Sequence, residues 1–342
     1  MTGFPPAVLR STPVRAVGTA LGLLLLVRAV NVPAAARQLV EVHPGWIAAG
    51  IALTGLSIAL GMLSWAVLLR GSCPRLECRA LVSLYLRALF VGQLLPGGVG
   101  GDAVRVVETG RRTGTGRALA AVVGGRLAGA LGIALWGAVA ALTMRDRLDD
   151  RVGYLPAAVA AALTLALLLV LATLLCSDSL LRRLDGGGGL LRRVASRVRP
   201  FTGTFDGYAH HPRLLLASLG AGVVSWGVNL LALTALAHAV GVGTNPEVFA
   251  LVIPISLLGT LAPFSVNGLG LREGILVTLL AHDGIGTTQA ASVSLLVDLQ
   301  VVPFAVAGAV IWGLRQRSRP DADTATETIP AAAVPALEPA PA

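Results

Sequence analysis

The chain contains no lysine: all 27 of its basic residues are arginine, in 342 residues of which only 13% are charged and 4% aromatic. The missing lysine excludes a nucleotide phosphate loop, which needs that ammonium beside the phosphates, and neither glycine run has the spacing of a dinucleotide site. Cysteine is scarce as well. Cys73, Cys78 and Cys176 are an odd set, and "CPRLEC" lacks the paired spacing of a zinc site, so inert thiols are expected, with no disulfide framework, metal or cofactor. No RNP, zinc-finger or basic-zipper pattern accompanies the net charge of +9, and no nucleic-acid partner is expected. The arginines cluster instead in short segments between apolar runs, which is a signal of membrane topology.

What is present in quantity is hydrocarbon. A 55% hydrophobic chain with a mean hydropathy of +0.77 is more apolar than a soluble domain tolerates, and predicts an all-α polytopic membrane helix bundle whose partners are membrane lipids. A spanning helix needs about 20 apolar residues. Six stretches meet or approach that length: 14–30, 46–69, 118–143, 154–176, 213–240 and 289–313. Two further apolar regions, 80–104 and 247–281, are broken near the middle at Pro96 and Pro263, and each reads as two half-helices around a non-helical tip.

Arginine counts orient these segments, because cytoplasmic loops carry the excess. Arg10 and Arg15 place the N-terminus inside, as Arg70, Arg75 and Arg79 place the next inner loop. Arg111, Arg112 and Arg117 mark a third, directly after region 80–104, so that region enters and returns on one side. The segment 177–212 is also basic, whereas loops 241–246 and 282–288 hold no Arg or Lys and fall outside; the tail from Arg315 is inside again. The result is a plasma-membrane protein with both termini cytoplasmic.

This layout is an inverted repeat: two helices, a re-entrant hairpin and a helix, over about 10–143, then the same order with opposite orientation over about 154–315. "QLLPGGVGGDAVR" and "TLAPFSVNGLGLR" align without gaps at Leu94/Leu261, Pro96/Pro263, Val99/Val266, Gly101/Gly268 and Arg105/Arg272. The first residues also suit a cleaved signal peptide, with the apolar run 16–27 and small residues at 34–36; a retained helix is favoured because its removal spoils the inverted count. Within the membrane domain, 1–319, residues 182–200 form a basic cytoplasmic linker. Residues 320–342, rich in Ala, Pro, Thr and acids, are expected to be a disordered tail.

The pattern P-G-G-x-G-G-D-x-x-R, the arginine-containing "RALAAVVGGRLAG" after it, and the later "P-x-S-x-N-G-L-G-L-R-E-G" resemble the lysylphosphatidylglycerol synthase transmembrane-region family, the flippase-like integral membrane proteins. The resemblance covers roughly residues 10–315. It implies movement of a modified lipid between leaflets; in two-domain members a cytosolic aminoacyl-transferase follows the membrane part. No such domain is recognisable here, so synthase activity is not carried over, and a separate lipid-modifying transferase becomes a possible partner. The family pattern often has an acid before the arginine that is Arg126 here; "VVGGRL" departs from it.

The residues themselves offer chemistry for an anion. A half-helix that begins inside the membrane presents unpaired N–H groups and the positive end of its dipole. Gly97, Gly98, Gly100 and Gly101 allow close backbone approach, Asp102 caps the turn, and Arg105 can grip a phosphate bidentately. Gly268, Gly270, Arg272 and Glu273 repeat the arrangement. A structural reading competes: Asp102 pairs with Arg105 at i+3, and Arg272 with Glu273 or a neighbour. Arg87, Arg126 and Asp298 are intramembrane polar groups that must face the interior, with Arg126 and Asp298 a candidate pair. The five tryptophans read as interfacial anchors. The function expected is a lipid translocator without covalent chemistry and with no catalytic residues. The alternatives are an enzyme acting on a lipid-linked phosphate or sugar, with Asp102, Glu108 or Glu273 as acid or base, and a scaffold for a lipid-modifying enzyme.

Overall fold

The computed structural model describes residues 43–70, 77–94, 99–144, 211–258 and 271–317, with single positions at 164, 165, 167 and 208. Its secondary structure among the described residues is helix, without strand: α1 Pro44–Arg70, α2 Cys78–Leu94, α3 Val99–Thr113, α4 Thr115–Thr143, α5 Pro212–Ala239, α6 Pro246–Leu258, α7 Leu271–His282, α8 Thr287–Leu299 and α9 Val302–Arg317. Four helical spans are long and apolar enough to cross a bilayer, Pro44–Leu69, Thr115–Thr143, Pro212–Ala239 and Thr287–Arg315. The all-α membrane architecture read from composition is therefore the one observed, and these spans coincide with four of the six expected. The stretch 14–30 and nearly all of 154–176 lie outside the described residues, as do the linker 182–200 and the tail 320–342.

Helices in lipid gain nothing from hiding apolar side chains from their surroundings, so association rests on close packing of small residues and on interhelical hydrogen bonds. The pairing of α1 with α5 shows both. His43 N–H donates to Ala239 O at 3.2 Å. Further along, Ser57 Oγ donates to Ser225 O at 2.9 Å while Ser225 Oγ donates to Ser57 O at 2.8 Å. Ser64 Oγ then donates to Ser218 O at 2.9 Å. His43, Gly50, Ser57 and Ser64 thus face Ala239, Ala232, Ser225 and Ser218 in antiparallel steps of seven, two helical turns apart, which keeps the small-residue stripe on the shared face. Where α4 crosses α5 the backbones nearly touch: a Cβ on Gly132 would lie 2.7 Å from Gly222 O. Trp136 Nε1 donates to Val223 O at 2.9 Å beside that crossing.

The core has two parts. Phe249, Leu233, Leu280 and Val293 anchor a cluster shared by α4, α5, α6, α7 and α8, and Trp65, Leu68, Leu81 and Ala121 anchor a second between α1, α2 and α4. The second cluster supports α2 and α3. Those two helices pack against each other through Gly101, where a Cβ would collide with the Ala88 carbonyl oxygen, and α9 packs on α2 in the same way through Gly308 and the Leu86 carbonyl.

Residues 95–98 and 259–270, which hold Pro96, Pro263 and the expected half-helix tips, lie outside the described residues. Two boundaries differ from the sequence reading. α3 runs on to Thr113, so Arg111 and Arg112 belong to its last turn, and Arg117 to the first turn of α4. The expected basic loop is a single residue, Gly114, at φ +88°, a conformation that glycine reaches without a Cβ penalty. The expected continuous helix 289–313 is interrupted between α8 and α9. Pro303 lacks an N–H and its ring opposes the carbonyl four residues earlier. Gln300 fills the interruption: Thr54 Oγ1 donates to its Oε1 at 2.8 Å, and its Nε2 donates to Val297 O at 3.0 Å.

Candidate functional site

Among the described helices α3 is the polar one, with Asp102 in its first turn and Arg111 and Arg112 in its last. That arrangement complements the helix dipole at both ends. Its charged side chains nevertheless turn toward protein. Asp102 pairs with Arg105 one turn on, and its other oxygen accepts from Arg126 Nε at 2.8 Å, with Arg126 Nη2 at 2.7 Å. The reason these residues meet lies at Gly114. α3 and α4 fold back on each other about that residue, and Asp102 and Arg126 stand twelve positions on either side of it.

The two arginines on Asp102 are not alike. The Arg105 guanidinium is largely buried, 5.8 Å from the Trp65 ring centroid and 5.2 Å from that of Tyr85. Aromatic faces attract a desolvated cation and hold its plane. Arg126, by contrast, keeps 53% of its side chain exposed while it contacts a carboxylate that is 22% exposed. Trp65 Nε1 is buried without an acceptor among the described residues. One carboxylate is shared by two guanidiniums, one caged and one open, for a formal charge of +1.

Six residues further along α3, Glu108 repeats the theme. Arg87, 6% exposed, engages it with both ends of its fork, Nη2 to Oε2 at 2.7 Å and Nη1 to Oε1, and its Nε donates to Ser83 O at 3.2 Å. Trp312 of α9 lies 5.9 Å from this guanidinium. Arg315, 56% exposed, reaches the same carboxylate at 3.9 Å.

In the second half, Arg272 pairs with Asp298 and lies with its Nε 3.5 Å from Glu273 Oε1. Glu273 is buried. Here too the contact follows from folding back. Arg272 and Asp298 are thirteen residues on either side of Ile285, in the turn where Gly284 takes φ +83°.

The expected site residues are thus divided among three clusters. Asp102, Arg105 and Arg126 converge at the start of α3, with Gly100 and Gly101 buried beside them. Arg272, Glu273 and Asp298 form the second, and Arg87 belongs to the third, with Glu108. Gly97, Gly98, Gly268 and Gly270 lie outside the described residues. The expected Arg126–Asp298 pair does not form, because each helix turns back onto its own neighbour and delivers a nearer partner, Asp102 or Arg272. Trp65 is no interfacial anchor: it is fully buried beneath Arg105 and Tyr85. The sequence reading assigned no site role to Tyr85, Trp312 or Arg315; α2 carried a signal, since "YLR" places an aromatic and a cation two residues apart on an otherwise apolar helix.

The family model described as "Lysylphosphatidylglycerol synthase TM region" matches residues 14–309. No curated protein and no solved structure matches the chain.

Proposed function

The chain belongs to the lysylphosphatidylglycerol synthase transmembrane-region family, and from that membership and the geometry of α3 we propose that it is a flippase-like lipid translocator that binds a phosphate-bearing headgroup between its two broken helical regions. The observation that carries this reading is the unequal sharing of Asp102. Arg126 lies eleven residues into α4, roughly 16 Å along its axis at 1.5 Å per residue, at a depth where an arginine facing lipid costs about 2.5 to 3.5 kcal/mol. A half-exposed guanidinium there favours a polar lumen. A phosphate in that lumen can be gripped by the exposed Arg126 guanidinium, while Arg105, stacked on Trp65 and Tyr85, keeps Asp102 neutralised and in place. The buried Trp65 indole N–H offers a further donor to an acceptor-rich headgroup.

Two halves of opposite orientation suit alternating access. The reciprocal hydrogen bonds of Ser57 and Ser225 are what a two-fold between halves requires, since each residue then does to the other what is done to it. Their separation of 168 residues nearly equals the 167 that align the two glycine motifs. In this reading Arg272 and Glu273, with Gly268 and Gly270, form the counterpart site, no covalent step occurs, and the protein acts in the cell membrane with both termini cytoplasmic. A separate transferase supplies the lipid.

The test is leaflet-resolved lipid transfer in proteoliposomes, normalised to folded protein. Arg126→Gln should abolish transfer in a folded protein, and Arg126→Lys should restore part of it, because an ammonium keeps the charge and loses the planar fork. Arg105→Gln should lose both transfer and thermal stability. A well-folded Arg126→Gln protein that moves lipid at the wild-type rate would overturn the phosphate site.

A further inference from the structure

We propose a second phosphate-binding site on α3, in which Arg315, beside the Arg87–Glu108 pair, receives the phosphate of a lipid headgroup before it reaches Asp102 and Arg126. The order of the two sites rests on the translocator reading; the existence of this one does not.

The argument begins from a repeated construction. At Asp102 and again at Glu108, one carboxylate of α3 lies between two arginines: a buried one backed by an aromatic ring and an exposed one from another helix. Each group carries a formal charge of +1. The carboxylates are six residues apart, about 9 Å along the axis, farther than a single phosphate spans, so the two are separate sites. Glu108 lies toward the arginine-rich end of α3, one turn from the exposed Arg111 and Arg112, and Arg315 is near the end of α9. The Glu108 group is thus the nearer to the membrane surface.

The exposed arms also differ in tightness. Arg126 is hydrogen-bonded to Asp102, whereas Arg315 stands 3.9 Å from Glu108, beyond hydrogen-bonding distance. Turning Arg315 toward an incoming phosphate sacrifices little, since an exposed ion pair of that length is weak and Glu108 stays neutralised by both ends of the Arg87 fork. A loose outer site and a firmer inner one suit admission followed by retention. Alongside them Val99, Ala103 and Val107 form an exposed apolar stripe along α3, a track for the acyl chains that a free phosphate would not use.

The two sites carry separate reporters, Trp312 beside Arg87 and Trp65 beside Arg105. The full chain in nanodiscs is titrated with short-chain phosphatidylglycerol, with inorganic phosphate, and with short-chain diacylglycerol, and the Trp312 signal is taken as the difference between wild type and Trp312→Phe. A response to phosphatidylglycerol alone assigns the site to a lipid headgroup, and a response to inorganic phosphate as well assigns it to phosphate from either source. Silence toward both, or an equal response to diacylglycerol, overturns the proposal.

Arg315→Gln should weaken the Trp312 response about tenfold, the worth of one charge-assisted hydrogen bond, and Arg315→Lys should restore part of it. Arg126→Gln should leave the Trp312 midpoint within about twofold. An unchanged midpoint in Arg315→Gln would sink the site. In proteoliposomes, Arg315→Gln should raise the half-saturating lipid content more than it lowers the maximal rate, whereas Arg126→Gln should abolish transfer; a purely structural latch at Arg315 would lower the maximal rate with the folded fraction and leave the half-saturating content unchanged. If wild-type protein moves no lipid, the translocator reading falls, and the Trp312 titration still decides this site.

Discussion

Arg126 and Asp298 bear opposite charges on two spanning helices and yet each is bound to a nearer partner, Arg126 to Asp102 across the Gly114 turn and Asp298 to Arg272 across the turn at Gly284. Sequence separation decided the pairing. A double-mutant cycle should therefore give Asp102→Asn and Arg126→Gln a coupling of about 0.5 to 3 kcal/mol, while Arg126→Gln and Asp298→Asn should add within about 0.5 kcal/mol. Unfolding in mixed micelles reads both. Coupling confined to the second cycle would show that the helices meet in another way.

Gly101 and Gly274 occupy the opening turns of α3 and α7, but their surroundings are unlike. A Cβ on Gly101 would strike the Ala88 carbonyl, whereas nothing lies within 4 Å of one on Gly274. Gly101→Ala should cost about 1 to 3 kcal/mol or more, as overpacking against backbone does. Gly274→Ala should be neutral or gain up to about 1 kcal/mol from helix propensity. Thermal unfolding in detergent, followed by size-exclusion recovery, distinguishes the two, and equal loss in both would contradict the packing of α2 on α3.

The hydroxyls on the α1–α5 seam are expected to be individually modest. Ser57→Ala or Ser225→Ala should each cost about 0.6 kcal/mol, a typical interhelical hydrogen bond in a bilayer protein. Gly132→Val should do far more damage, because it forces apart a backbone crossing that has no side chain to move. A severe Ser57→Ala defect with a mild Gly132→Val would mean that hydrogen bonding, and not close approach, holds α5 in place.

Sidedness can be checked with single cysteines at exposed positions. The His43 bond to Ala239 puts the start of α1 beside the end of α5, so Gly243 lies at the opposite face from Pro212 and Arg213. A probe at Thr115 should react only from the cytoplasm, and probes at Gly243 and Gly286 only from outside. Reaction of Thr115 and Gly243 from one side would overturn the arginine-based topology.

How far the sequence could be read depended on the range of each cause. Apolar length is local, and the four described spans were found within a few residues of their ends. The i+3 pairing of Asp102 with Arg105 was visible for the same reason. The reading failed at the end of α3, where Arg111 and Arg112 looked like part of a loop; the pairing of Glu108 with Arg87 and of Asp102 with Arg126 depends on other helices and has no signature in the segment itself. The cage of Trp65 and Tyr85 around Arg105 joins three helices and was invisible for that reason. The run 289–313 was read as one helix because its apolar length hid Pro303, and the support that Thr54 gives Gln300 at the interruption comes from another helix.

The one-residue turn at Gly114 makes the α3–α4 pair intolerant of changes in chain length. With no slack between the helices, each residue inserted would slide one helix past the other by about 1.5 Å and rotate it by about 100°, carrying the carboxylate away from the guanidinium that it opposes. Length variation, epitope tags and split points should therefore be accepted in the turn around Gly243 and rejected beside Gly114, although both are exposed glycines at helix ends. Register, held by a single backbone angle, is what this helix pair has in place of a loop.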